Sequence, residues 1–135
     1  MKRFALIANI AGASAVEFAI IAPVFFGFLF SLIEGGRMVW TNQALSEAAY
    51  STIRCRAVKA AACATEATQI QYAVSRARDN GIAVDATNVL IEPDVSCRGM
   101  QGSVQVTISK TFGSPVKGLI PMPDTLTGKA CYPKL

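Results

Sequence analysis

Residues 12–30 read GASAVEFAIIAPVFFGFLF, nineteen residues carrying one charge, Glu17. Residues 18–33 carry none. Counted from Ala13 to Ile33, the apolar stretch gives about 31 Å of helix, close to the hydrocarbon thickness of a bilayer. A membrane-spanning helix over 13–34 is therefore expected. Pro23 lies inside it. In a soluble helix an internal proline costs about 3 kcal/mol, but membrane helices accommodate one, often with a kink. Gly27 is a second soft point. Glu17 needs its own account, because a carboxylate in the hydrocarbon costs roughly 2.5–3.5 kcal/mol even on the lenient insertion scale. Either it marks the interface just ahead of the span or it meets a partner charge.

The rest of the chain fits such an anchor. The 135 residues are 52% hydrophobic with a mean hydropathy of +0.38, high for a small soluble domain. Lys2 and Arg3 precede the apolar run, and the next basic residue is Arg37. The positive-inside rule then puts the N-terminus in the cytoplasm and residues 35–135 outside. Four cysteines, at 55, 63, 97 and 131, suit two disulfides in an oxidising compartment. With no CxxC pair and no histidine in the chain, no metal site is expected. The missing histidine also removes the commonest acid–base catalyst. Asp85, Glu92 and Asp94 read as solvated turn charges, so no enzyme activity and no cofactor are expected. The net charge of +4 is dispersed, which gives no basic patch for direct nucleic-acid binding.

Residues 1–12 read as a short leader with two cleavage options. Ala13-Ser14-Ala15 has the A-x-A form of a signal-peptidase site, and that cut would leave Val16 first. A cut after Gly12 would leave Ala13 first, with a new amine one helical turn from Glu17, since i and i+4 share a face. At the far end of the span, Glu34 and Arg37 are spaced i, i+3 and can pair at the outer interface. Gly35 and Gly36 between them permit a bend or a close contact. A polar stop after a membrane helix would also account for this stretch.

Gly12 followed by ASAVEF resembles the processing site of prepilins. The wider set, GASAVEFAIIAPVF, IEGGR at 33–37 and NQALSEAAYSTIR at 42–54, is similar to the TadE-like family, minor pseudopilins of the tight-adherence (Tad, Flp) pilus machinery. The likeness covers residues 12–57. It implies a prepilin peptidase cutting between Gly12 and Ala13, with Glu17 and Phe18 near the mature N-terminus serving assembly and registry. It implies as partners other pilins and pseudopilins, the inner-membrane assembly platform and membrane lipid. It places the chain in a bacterial inner membrane, with the domain in the periplasm and a role in pilus assembly or initiation for adherence. A single-pass anchored periplasmic binding or scaffold protein is the alternative.

The expected fold is α+β and pilin-like: a long N-terminal helix packed on a small antiparallel sheet, with a second helix. Leu45, Ala49 and Ile53 recur every four residues beside Ala48 and Thr52, which continues the first helix to about residue 60. A second helix is expected over 65–80. Thr65 caps it, Ile70, Ala73, Val74 and Ala77 form its apolar face, and Gly81 ends it. Strands are expected over 88–95, 103–111 and 124–133, with Pro93 at an edge or bulge, a turn over 96–102, and a short helical turn within 113–123. The alanine-rich stretch 60–64 as a turn would bring Cys55 to Cys63, and a three-strand meander would bring Cys97 to Cys131. For the second pair Cys131 falls on the face opposite Leu126, unless Gly128 is a bulge.

Overall fold

The computed structural model describes residues 10–97, 99–118 and 120–133; Lys2, Arg3 and most of the leader lie outside the described residues, as does Leu119. Helix α1, Ile10–Ala57, runs unbroken for 48 residues through Pro23, about 72 Å in length. Its two halves have opposite surroundings. Residues 14–33 are exposed apart from half-buried Ala22 and Ser31. From Glu34 onward one face is covered: Thr41, Ala44, Leu45, Ala48, Ala49, Thr52 and Ile53 are buried at helical spacing. The apolar stripe read from the sequence is thus core, and the membrane-type segment is the part the domain leaves bare.

The helix stops three residues before the expected end. Lys59 takes a left-handed conformation (φ 52°), its N–H bonds the Arg56 carbonyl at 3.0 Å, and the Ala60 N–H bonds the Cys55 carbonyl at 3.2 Å. That is the closure a glycine normally provides, made here by a lysine, so the sequence carries no glycine to mark it. A 3₁₀ turn, Ala61–Cys63, follows, and Cys55 and Cys63 are disulfide-bonded with Cα atoms 5.9 Å apart.

Helix α2, Glu66–Asp79, begins with a reciprocal cap. The Thr65 hydroxyl accepts from the Thr68 N–H and the Thr68 hydroxyl accepts from the Thr65 N–H. Gly81, at φ +78°, ends it as expected, and the Ile82 N–H returns to the Ala77 carbonyl at 2.9 Å. Gln69 is buried on α2 and ties three elements together. Its Nε2 donates to the Cys63 carbonyl at 2.9 Å, and its Oε1 accepts from Arg56 at 3.0 Å.

Strands β1 (Val89–Cys97), β2 (Met100–Thr111) and β3 (Thr125–Pro133) form an antiparallel meander in the order β1-β2-β3. The inner face, with Val89, Ile91, Val104, Val106, Ile108 and Leu126, packs with the buried stripe of α1 and with Ala73 and Ala77 of α2. The first hairpin is tighter than the expected 96–102 turn. Cys97 pairs with Met100, Gly99 turns the chain at φ +84°, and Gly102, at φ +70°, lies in a second irregularity rather than in the turn. In the connection from β2 to β3 the Lys117 N–H bonds the Ser114 carbonyl at 3.3 Å and the Ile120 N–H bonds the Val116 carbonyl at 3.1 Å.

Cys97 and Cys131 are joined, with Cα atoms 6.2 Å apart, but Gly128 is not the bulge that allows it. Gly128 pairs regularly with Ile108. The irregularity is in β1, where Glu92 pairs with Gln105 and Val95 with Ser103, so Pro93 and Asp94 together oppose Val104 alone. That extra residue moves the end of β1 onto the outer face, where Cys131 already lies opposite Gln105. Gln105 Oε1 sits 3.7 and 3.5 Å from the two sulfurs, and its Nε2 donates to Glu92 at 3.2 Å. Gly128 serves a different purpose. A Cβ there would lie 2.2 Å from the Leu45 carbonyl carbon and 2.4 Å from the Ser46 nitrogen, so the backbones of α1 and β3 meet at this glycine.

Candidate functional site

The candidate site is the uncovered half of α1 together with the point where it enters the domain. Its helical backbone follows from the run of Ala, Val, Ile, Leu and Phe. Pro23 removes one hydrogen bond and the helix continues past it. The Ser31 hydroxyl turns back onto the Gly27 carbonyl at 2.7 Å, which hides a polar group from an apolar surrounding. Phe25, Phe26 and Phe30 form a chain of ring contacts, with centroids 5.6 and 6.4 Å apart. Phe18, Ile20, Ile21, Val24 and Phe28 are all exposed. An exposed apolar surface of this extent marks an interaction with lipid or another chain. This helix is long and apolar enough to cross a membrane, and it lies near the N-terminus, compatible with a single-pass anchor.

The residues singled out near the start of the helix are close along one helical stretch. Gly12 is exposed, and a Cβ there would meet no other atom within 4 Å. Ala13 has helical backbone, one turn or about 6 Å ahead of Glu17 along the axis. Glu17 and Phe18 are exposed, and Glu17 forms no ion pair among the described residues.

At the exit, Arg37 donates to Glu34 Oε1 at 2.6 Å across the i, i+3 spacing. The Glu34 side chain is only 7% exposed and that of Arg37 55%. Glu34 Oε2 is buried without a well-formed hydrogen bond, with the Ser114 hydroxyl close enough to interact with the carboxylate. The Arg37 guanidinium stands over the Phe112 ring, 5.7 Å from its centroid. Pair, ring and hydroxyl together seal the first covered turn of α1 against the end of β2. Gly35 and Gly36 continue the helix, and a Cβ at either would be unobstructed. Sequence reasoning identified Glu34 and Arg37 but not Phe112 or Ser114, which lie more than seventy residues away and come close only through the sheet topology.

The four cysteines sit away from this exit, in the turn that closes α1 and on the outer face of the sheet, where they staple the fold. Among the described residues, no three His, Cys, Asp or Glu side chains gather as a metal site would require. Asp85 and Asp94 are exposed, and Glu92 is engaged by Gln105.

A protein-family model described as TadE-like protein matches residues 12–54. The match starts at the glycine of the candidate cleavage site and ends in the last turns of α1. It takes in the whole uncovered segment, the Glu34–Arg37 exit and the core-facing stripe. It is the family the sequence resembles, over less than half of the chain. The second helix, the sheet and both disulfides lie beyond the matched residues. No curated protein and no solved structure matches the chain.

Proposed function

We propose that the chain is a minor pseudopilin of a Tad-type (type IVc) pilus. A prepilin peptidase cuts after Gly12, and the mature chain starts at Ala13. The uncovered half of α1 holds it in the bacterial inner membrane with the domain in the periplasm. It serves pilus assembly or initiation for adherence, together with other pilins and pseudopilins and the membrane platform. It is a structural part rather than an enzyme.

One observation carries this reading: the segment that matches the TadE-like family contains the whole stretch of α1 that the fold leaves without a partner. A helix with its apolar face buried in its own domain would need nothing else. This one exposes eighteen of the twenty residues from 14 to 33, with a carboxylate near their start. In lipid an ionised Glu17 is costly, and a free α-amine at Ala13, on this chain or a neighbouring copy, would offset that cost. The two disulfides favour an oxidising compartment for the domain.

The test is the intact mass and N-terminal sequence of the protein recovered from membranes, with and without the prepilin peptidase of the pilus system. A peptidase-dependent start at Ala13 supports the pseudopilin reading. A start at Met1 replaces it with an anchored periplasmic binding or scaffold protein, and a start at Val16 points to ordinary signal peptidase.

A further inference from the structure

Beside the exit of α1 lies a cavity of about 440 Å³ whose lining includes Arg37, Trp40, Thr41, Lys110, Thr111 and Phe112. No residue of the lining is acidic. Lys110 reaches in from β2 and gives one ammonium proton to the Ala83 carbonyl, which leaves two for a ligand. Arg37 spends one edge on Glu34, the carboxylate that faces it, and is held over Phe112 with the rest of its guanidinium exposed. Trp40, the only tryptophan of the chain, is 62% exposed at the rim. Two cations, two hydroxyl-bearing side chains and an exposed indole on one concave wall match a phosphodiester more closely than an apolar ligand.

Position decides which phosphate. Residues 14–33 supply about 30 Å of bare apolar helix, one hydrocarbon thickness. With that stretch in the core, Arg37 stands about 6 Å and Trp40 about 10 Å beyond Ile33 along the axis. The first height falls within the headgroup layer, about 5–7 Å deep on each side, and the second lies a few ångströms beyond it, within reach of a long side chain such as tryptophan, which is favoured at this interface. A second cavity, lined by Arg56, Lys59 and Tyr132 among others, is also cationic, but Arg56 is about 28 Å further along α1 than Arg37 and out of reach of lipid. The geometry points to the Arg37–Lys110 cavity as a seat for the headgroup phosphate of an anionic phospholipid. The bound headgroup would fix the depth and the rotation of the domain on the membrane. The inference rests on the membrane-anchor reading above.

The experiment uses the full chain in neutral detergent micelles, with Trp40 emission as the reporter. It is titrated separately with phosphatidylglycerol, phosphatidylcholine and inorganic phosphate, alongside flotation of the chain with vesicles. Expected are a saturable change with phosphatidylglycerol alone, an apparent dissociation constant raised at least about tenfold by Lys110→Gln, and no change with Lys59→Gln. Lys110→Arg should retain binding, which separates a lost charge from a lost fold. Saturation by inorganic phosphate with the same dependence on Lys110 would overturn the lipid assignment. So would an equal response to phosphatidylcholine, or a response indifferent to Lys110→Gln. A chain that floats with vesicles but gives no phosphatidylglycerol response refutes the headgroup site and leaves the anchor standing. A chain that does not float refutes both.

Discussion

Replacing Gly128 by alanine should damage the fold through one added carbon. That carbon would lie 2.2 Å from the Leu45 carbonyl carbon, 2.4 Å from the Ser46 nitrogen and 2.5 Å from the Leu45 oxygen. Carbon–carbon contacts relax at about 3.5–4.0 Å, so β3 and α1 would have to part by more than about 1 Å. All three atoms are backbone, so no rotamer change can make room. Parting them loosens Leu45, Val106, Ile108 and Leu126, all buried in the core. Overpacking of this kind costs about 3 kcal/mol at its upper range. Alanine recovers about 0.5–1 kcal/mol of strand preference over glycine, which leaves a net loss near 2 kcal/mol. For a domain of this size that lowers the melting temperature by about 8–16 °C. Thermal unfolding of the full chain in detergent, followed by near-ultraviolet circular dichroism, reads the change. Gly113→Ala is the comparison, because a Cβ there meets no atom within 4 Å. If Gly128→Ala melts with Gly113→Ala, α1 and β3 do not touch as described and the argument fails.

Three further outcomes are expected. Converting Cys97 and Cys131 to alanine should cost about 3.8 kcal/mol, and converting Cys55 and Cys63 about 2.5 kcal/mol, because a 34-residue separation constrains the unfolded chain more than one of 8; denaturant midpoints in the opposite order would contradict this. Thr65→Ala removes the cap of α2 and should cost about 1 kcal/mol by the same assay, while an unchanged midpoint would mean that Thr68 alone closes the helix. Glu17→Ala should leave membrane insertion and cleavage intact and impair pilus assembly, and normal piliation would sink the registry role.

The sequence made some features legible because each rests on a local signal. The recurrence of Leu45, Ala49 and Ile53 is one helical face, and burial follows it residue by residue. Val104, Val106 and Ile108 alternate, and they are the inner face of β2. Thr65 and Gly81 punctuate α2 as their chemistry requires. Other features depend on neighbours that no local signal names. Glycine in a strand means either a bulge or a close backbone approach, and only the position of α1 decides which applies at Gly128. Pro93 signalled a bulge, but its consequence, turning Cys97 onto the face of Cys131, needed the pairing register of β2. Lys59 ends α1 in a conformation that lysine does not advertise. Phe112, Ser114 and Lys110 reach the exit only because β2 ends beside the first covered turn of α1.

The way α1 is shared between its surroundings constrains how the protein can act. Among the described residues no linker separates the bare segment from the domain: Ile33 is exposed, Glu34 is buried, and the helix is continuous through both. The same helix then supplies the spine of the core and meets β3 backbone to backbone at Gly128. A displacement of the bare segment along its axis therefore carries the sheet with it, since sliding α1 past β3 would have to break the packing around Leu45. The second disulfide stiffens the receiving side by tying β1 to β3 across the outer face of β2. Gly35 and Gly36 fall at the boundary, where a helix bends most readily and where the Glu34–Arg37–Phe112 contacts oppose bending. A chain built this way transmits an axial pull on its bare segment to its domain with little slack, the mechanical property that the proposed assembly role would need.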